Sequence, residues 1–145
     1  MSDTGTGQRV LQPASWPRPR GYANGIVAAG ETIFLAGQVG WDAGGRFAEG
    51  LANQVAQALS NIVALLAEAG AEPRHVTRLT WFVTDLRAYR ESQGTIGTVY
   101  RRLIGKHFPA MSVIGVSQLV EPEALVEIEA TAVLPPWMRA KSESK

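Results

Sequence analysis

Hydrophobic and polar positions along this chain switch between two periods, and each switch marks an element. Gly25-Ile26-Val27-Ala28-Ala29 and Thr32-Ile33-Phe34-Leu35-Ala36 flank Gly30-Glu31, which predicts two strands joined as a hairpin. Asp42-Ala43-Gly44-Gly45-Arg46 is a turn cluster. Val55, Leu59, Ile62, Leu66 and Ala69, supported by Ala58 and Leu65, then recur at helical spacing. They predict a helix over residues 51–69, stopped by Gly70. Residues 76–84 alternate again, with Leu79, Trp81 and Val83 on one side and Thr80, Phe82 and Thr84 on the other. Asp85 ends that strand and caps a second helical stripe of Tyr89, Ile96, Val99, Tyr100 and Leu103. Residues 112–116 and 124–134 read as strands.

The predicted order is β-β-α-β-α-β-β. Two helices without strict βα alternation indicate an α+β domain, a sheet with both helices packed on one face. Residues 1–16 are polar, carry no hydrophobic period and read as a flexible N-terminal arm, while Pro13, Pro17 and Pro19 keep the following approach extended. Residues 17–139 form a single domain, and residues 140–145 a short flexible tail. A chain of 145 residues suits one domain with a sizeable core.

Composition mainly excludes. Hydrophobic residues make up 46% and charged residues 19%, as in an ordinary globular protein. The net charge of +1, from 14 basic and 13 acidic residues, creates no field that would draw in nucleic acid or an anionic membrane. The absence of cysteine removes disulfides, thiol nucleophiles and Cys-ligated metals, and fits a reducing compartment. No apolar run approaches the roughly 20 residues of a spanning helix, and the first twenty residues resemble no signal peptide. A soluble, cytoplasmic protein is expected.

Familiar catalytic templates do not fit. The two histidines, His75 and His107, have no metal-ligand spacing and read as loop or strand-edge residues. Gly40-Trp41-Asp42-Ala43-Gly44-Gly45 lacks the Lys-Ser/Thr of a P-loop and reads as a turn. No serine sits in a nucleophile elbow. Glu127 and Glu129 are different. Strand alternation puts Leu125, Glu127, Glu129, Thr131 and Val133 on one face, and Val126, Ile128, Ala130, Ala132 and Leu134 on the other. The second face is wholly apolar and belongs under the helices. The carboxylates lie either on an open, solvated face or in a crevice against another subunit, where one could position a water or accept a proton. Burial in such a crevice would raise a carboxylate pKa unless a cation compensated.

Several segments together resemble the RidA/YjgF family of imine- and enamine-deaminase-like proteins, also known as endoribonuclease L-PSP-like. They are Tyr22-x-x-Gly25, Ile33-Phe34-Leu35-Ala36-Gly37-Gln38, Gln54-x-x-x-Ala58-Leu59-x-Asn61-Ile62, Thr80-x-Phe82-Val83-x-Asp85-Leu86, Phe108-Pro109-Ala110 and Val126-Glu127-Ile128-Glu129-Ala130. Each is weak alone; their joint order and spacing are strong. The resemblance implies a chorismate-mutase-like fold and a homotrimer with small-molecule clefts between subunits. It also implies hydrolysis of 2-imino or 2-enamino acids to 2-keto acids and ammonia, with no cofactor and no metal. Glu127 matches the glutamate that positions the hydrolytic water. Tyr22 matches the aromatic closing the cleft, Gly37 a backbone contact, and Ser112 follows the anion-binding position.

That anion-binding position departs from the pattern. Deaminating members carry Arg where this chain has Met111 in Phe108-Pro109-Ala110-Met111-Ser112. An arginine fork grips a carboxylate bidentately, and methionine offers neither charge nor donor. Losing a buried charge-assisted contact costs about 2–5 kcal/mol, roughly 30- to several-thousand-fold in transition-state binding. Gly97 also replaces an asparagine common in active members, and the loop Val120-Glu121-Pro122-Glu123 is longer than theirs. The standard imino-acid reaction should therefore be impaired, unless Arg20, Arg78 or Arg101 supplies the cation. The alternative is a non-catalytic binding or regulatory trimer holding a more apolar ligand against Met111, Val113 and Trp81. An endoribonuclease reading is weak, because no aromatic-basic platform for single strands is evident.

Overall fold

The computed structural model describes residues 5–140. Glu31–Val39 (β3), Val76–Val83 (β4), Ala110–Gly115 (β5) and Val126–Leu134 (β6) form a four-stranded mixed sheet in the order β3-β6-β4-β5. Only the β4–β5 pair is parallel. Leu51–Glu68 (α1) and Gln93–Leu103 (α3) pack together over one face of it. The alternation read from the sequence is the physical basis. Leu79, Trp81 and Val83 of β4 and Val126, Ile128, Ala130, Ala132 and Leu134 of β6 join Val55, Leu59, Ile62 and Leu66 of α1 in the core. The other face carries Glu127, Glu129, Thr80 and Phe82, with Phe34 79% exposed.

The ends of α1 follow from glycine. Gly70 (φ +75) closes the helix: its N–H donates to the Ala67 carbonyl, and the Ala71 N–H donates to that of Leu66. Beside α1, Gln54 is buried. Its amide nitrogen donates to the carbonyls of Ala48 (3.2 Å) and Glu123 (3.0 Å), and its oxygen accepts the Leu125 N–H (2.8 Å). Asn61 similarly donates to the Val39 and Trp41 carbonyls. The motif Gln54-x-x-x-Ala58-Leu59-x-Asn61-Ile62 is thus architectural: its polar members tie the helix to the ends of β3 and β6.

Three expectations need correction. The second helical stripe is two helices, Leu86–Glu91 (α2) and α3, so there are three α-helices among the described residues rather than two. Asp85 caps α2, its carboxylate accepting the Ala88 N–H at 3.1 Å. The break falls at Ser92 (φ −104, ψ 8), two residues before Gly94, which is unfavourable in a helix interior. Secondly, the segments around Gly30 are not a hairpin. Gly25–Val27 (β2) pairs with Arg9–Leu11 (β1), whereas β3 pairs with β6. Gly30 (φ +144) packs against the Leu134 carbonyl, where any Cβ would overlap backbone, and the chain swings there from one sheet into the other.

Thirdly, residues 1–16 are not a loose arm throughout. β1 is a strand, Thr6 and Gln8 are buried, and the Gln8 side chain donates to the Arg74 carbonyl at 3.1 Å. Polar side chains and backbone pairing hold this segment, so hydrophobic periodicity could not reveal it. Residues 1–4, and 141–145 of the expected tail, lie outside the described residues. The Ala140 N–H donates to Glu31 Oε1 at 2.7 Å.

Candidate functional site

Glu127 sits on the open face of β6, paired across the ladder with Val39 on one side and Phe82 on the other. It is half-buried, whereas Glu129, two residues along the same face, is exposed. What lies against Glu127 is Gly37. The β3–β6 ladder slips between Leu35 and Gln38, leaving Ala36 and Gly37 in a bulge. There the Gly37 backbone lies against the Glu127 side chain so closely that a Cβ would come within 2.7 Å of the carboxyl carbon. Gly37 and Glu127 are thus adjacent, with a carboxylate lying beside irregular backbone.

The other predicted residues are distributed by strand alternation. Met111 pairs with Leu79 and Val113 with Trp81, so both lie on the helix-covered side of β5. Ser112 pairs with Thr80 and lies on the open side. Met111 and Gly97 line one cavity of about 270 Å³, walled by Trp81, Tyr89, Tyr100 and Phe108. Val113 is not in its wall. Of the three arginines considered, Arg20 and Arg101 line this cavity. Arg78 lies across the sheet with Glu129 and Phe34, in a separate hollow of about 320 Å³.

Tyr22 borders a larger cavity of about 550 Å³, together with Arg18, Lys106, His107 and Phe108. The two cavities share Phe108, and the segment carrying Tyr22 is docked to the start of β5. Ala23 bridges Ala110, and its N–H donates to the Pro109 carbonyl at 2.9 Å. Phe108 stacks on Tyr100 with ring centroids 5.6 Å apart, and the Tyr100 hydroxyl donates to the His107 carbonyl at 2.7 Å. Burial drives the Tyr100 phenol strongly upward in pKa, so it is a neutral donor. These aromatic contacts carried no pattern by which the sequence could announce them; only folding brings residue 81 to residues 100 and 108.

Both histidines serve the frame. His75 is fully buried, and its Nδ1 accepts the Glu72 N–H at 2.9 Å, leaving the proton on Nε2, which has no partner among the described residues. His107 Nε2 donates to the Val76 carbonyl at 2.6 Å. Burial is the main cause lowering both pKa values. Among the described residues, no three His, Asp or Glu side chains come together as a metal site. Likewise, no described helix is long and apolar enough to cross a membrane. The Gly44-Gly45 segment is the expected turn, its backbone N–H groups from Gly44 and Arg46 bound to the Asp42 carboxylate rather than free for a phosphate.

Within one chain, then, Glu127 with Gly37 and Met111 with Gly97 are on opposite faces of the sheet. No rotamer change brings them into one cavity.

Comparison with known proteins agrees with this architecture. The family described as endoribonuclease L-PSP matches residues 15–134. A RutC family protein of Synechocystis is 32% identical over 130 residues, covering 88% of this chain and 97% of that protein. Human 2-iminobutanoate/2-iminopropanoate deaminase is 29% identical over 135 residues, covering 92% and 95%. Among solved structures, a Rid-family protein of unknown function from Yersinia pestis superposes with a TM-score of 0.78 at 34% identity, covering 88% of this chain and 99% of that one. A member of the YjgF/YER057c/UK114 family from Mycobacterium tuberculosis gives 0.61 at 32% identity, covering 79% and 88%. Sequence and fold therefore converge over nearly the whole domain, and the chain belongs to the RidA/YjgF family.

Proposed function

We propose that this protein hydrolyses reactive 2-imino or 2-enamino compounds to the keto product and ammonia, in a cleft that two copies of a homotrimer complete. The observation that carries this reading is the pairing of a half-buried carboxylate, Glu127, with the bulged backbone at Gly37. It is supported by relatives that are themselves imine deaminases. The opposite-face arrangement explains why a second copy is needed: one chain would present Glu127 and its neighbour the Met111 cavity. Exposed Phe34 and Ile114 on the open sheet face give that contact an apolar component.

The chemistry asks little of the protein. Glu127 accepts a proton from a water as its oxygen attacks the imine carbon, forming the C–O bond while the C=N π-electrons move to nitrogen. The resulting carbinolamine expels ammonia once its nitrogen is protonated, the hydroxyl loses its proton, and the C=O bond forms. An enamine first takes a proton on carbon to become the imine. Water is the only co-reactant, and Ser112 and Tyr22 serve as polar and aromatic borders of the cleft. Met111 removes the strand-borne cation for a substrate carboxylate, so turnover of the smallest imino acids should be weak.

The direct test is hydrolysis of 2-iminopropionate, generated in situ by an amino-acid oxidase, with native protein, Glu127→Gln and Met111→Arg. Native activity abolished by Glu127→Gln supports the reading, as does a weak native protein enhanced by Met111→Arg. Glu127→Gln turning over at the native rate removes the carboxylate from the mechanism. The second reading, a non-catalytic binding or regulatory trimer, is favoured by the aromatic wall beside Met111. It predicts thermal stabilisation by an apolar ligand without turnover of any imine.

A further inference from the structure

The cavity beside Met111 holds two arginines, Arg20 and Arg101. We propose that its anion-binding group is Arg101 of α3, assisted by Arg20, and that it selects carboxylates bearing an aryl or bulky alkyl group. This inference rests on the preceding reading for the reaction, but not for the binding.

Gly97 is the first observation. Residues 97 and 101 stand one helical turn apart on the same face. A Cβ built at Gly97 would meet Arg101 Nη1 at 3.4 Å and, within 4 Å, nothing else beyond the helix itself. The guanidinium therefore lies back over α3, in the space that a longer side chain at 97 would claim. Glycine at 97 thus leaves the helix surface to Arg101, and methionine at 111 places no charge on the strand side of the cavity.

Charge is the second. Arg101 and Arg20 both line the cavity, and no Asp or Glu does. Among the described residues the ion pairs are Arg46 with Asp42 and Arg74 with Glu72, so neither cavity arginine is neutralised by a carboxylate. Two unpaired guanidinium forks call for an acceptor-rich anion.

The rest of the wall decides the body of the ligand. Trp81 meets Tyr89 edge-on at 6.2 Å, Tyr100 stacks on Phe108, and Met111 supplies an adaptable apolar surface. Methionine in place of arginine removes charge from the strand side and leaves room for carbon there. The chemistry that fits is a carboxylate facing Arg101 with an aromatic or branched group against Met111, as in a bulky 2-imino acid or its 2-keto product.

Calorimetric titration of the full-length protein with phenylpyruvate and with pyruvate tests this without requiring turnover. Native protein should prefer phenylpyruvate, and Arg101→Gln should weaken it by about 10- to 100-fold. Arg102→Gln, exposed on the same helix but outside the cavity wall, should bind normally. Arg101 is exposed, so its variant should keep the native melting temperature. The double variant Met111→Arg with Arg101→Gln should recover pyruvate binding, which a merely structural role for Arg101 cannot explain. Undiminished phenylpyruvate binding by Arg101→Gln overturns the proposal, and so does native protein that binds neither acid. Arg101-dependent binding by a protein that hydrolyses no imine upholds this inference and removes the hydrolase reading. Hydrolysis of aryl imines indifferent to Arg101 does the reverse.

Discussion

Replacing Gly37 with alanine isolates the one contact on which the proposed chemistry turns. The φ at Gly37 lies outside the left-handed region, so alanine introduces no backbone strain there. Its methyl group, however, overlaps Glu127 Oε2, the nearest atom, and arrives 2.7 Å from the carboxyl carbon, where ordinary contact begins at 3.4 Å. The carboxylate oxygen must retreat by about 1 Å, and a displacement of about 1 Å at a reacting group costs about 100-fold in rate. Stability should change little. Glu127 is half-exposed and can rotate, so the expected cost is an off-rotamer penalty of about 0.5–1.5 kcal/mol. The assay is hydrolysis of the best imine substrate, with the melting temperature measured alongside. Gly94→Ala is the control, since a Cβ there meets nothing and its φ is not positive; it should be neutral, or stabilise by up to about 1 kcal/mol through helix propensity. A Gly37→Ala protein that melts normally and turns over at the native rate would refute the placement of Glu127 as the water-positioning group. A collapse in stability without a specific loss of rate would refute the view that this contact is local.

Two further outcomes follow from the frame around the site. Gln54→Leu should destabilise by about 2–4 kcal/mol, because the Ala48 and Glu123 carbonyls and the Leu125 N–H lose their partner together; denaturant unfolding that shows a loss below about 1 kcal/mol contradicts the tie described here. Protonation should also loosen the fold. His75 and His107 have folded pKa values below 6.5, so the unfolded chain takes up their protons first. Their contribution is present above pH 6.5 and is lost as pH falls through the lowered folded values, so the melting temperature should drop on acidification below 6.5. His75→Gln and His107→Gln should each flatten that slope, and equal slopes in all three proteins would show that neither histidine governs it.

How much of this was legible in the sequence depended on range. Alternation grouped Leu79, Trp81 and Val83 on one face of β4 and set Glu127 and Glu129 opposite the apolar face of β6; the structure keeps both groupings and puts Leu79, Trp81 and Val83 in the core beneath the helices. Asp85 as a cap and Gly70 as a helix stop were equally readable, because each acts within a few residues of its own position. The break at Ser92 was missed because the apolar spacing of α2 and α3 continues across it. β1 was missed because its order comes from pairing with β2 and from Gln8 reaching Arg74, which are long-range and polar.

The candidate site divides the same way. Sequence alone determined the family and the two sheet faces, since those rest on residue identity and on a period of two. It could not choose among Arg20, Arg78 and Arg101, because the choice depends on which side of a sheet each guanidinium reaches. Tertiary structure decided it by putting Arg78 beside Glu129 and Arg20 and Arg101 beside Met111. It alone also set the Gly37 backbone against Glu127, across a bulge whose register no local pattern encodes. Local chemistry fixes what each element is; only strand order and helix packing bring residues ninety positions apart into contact.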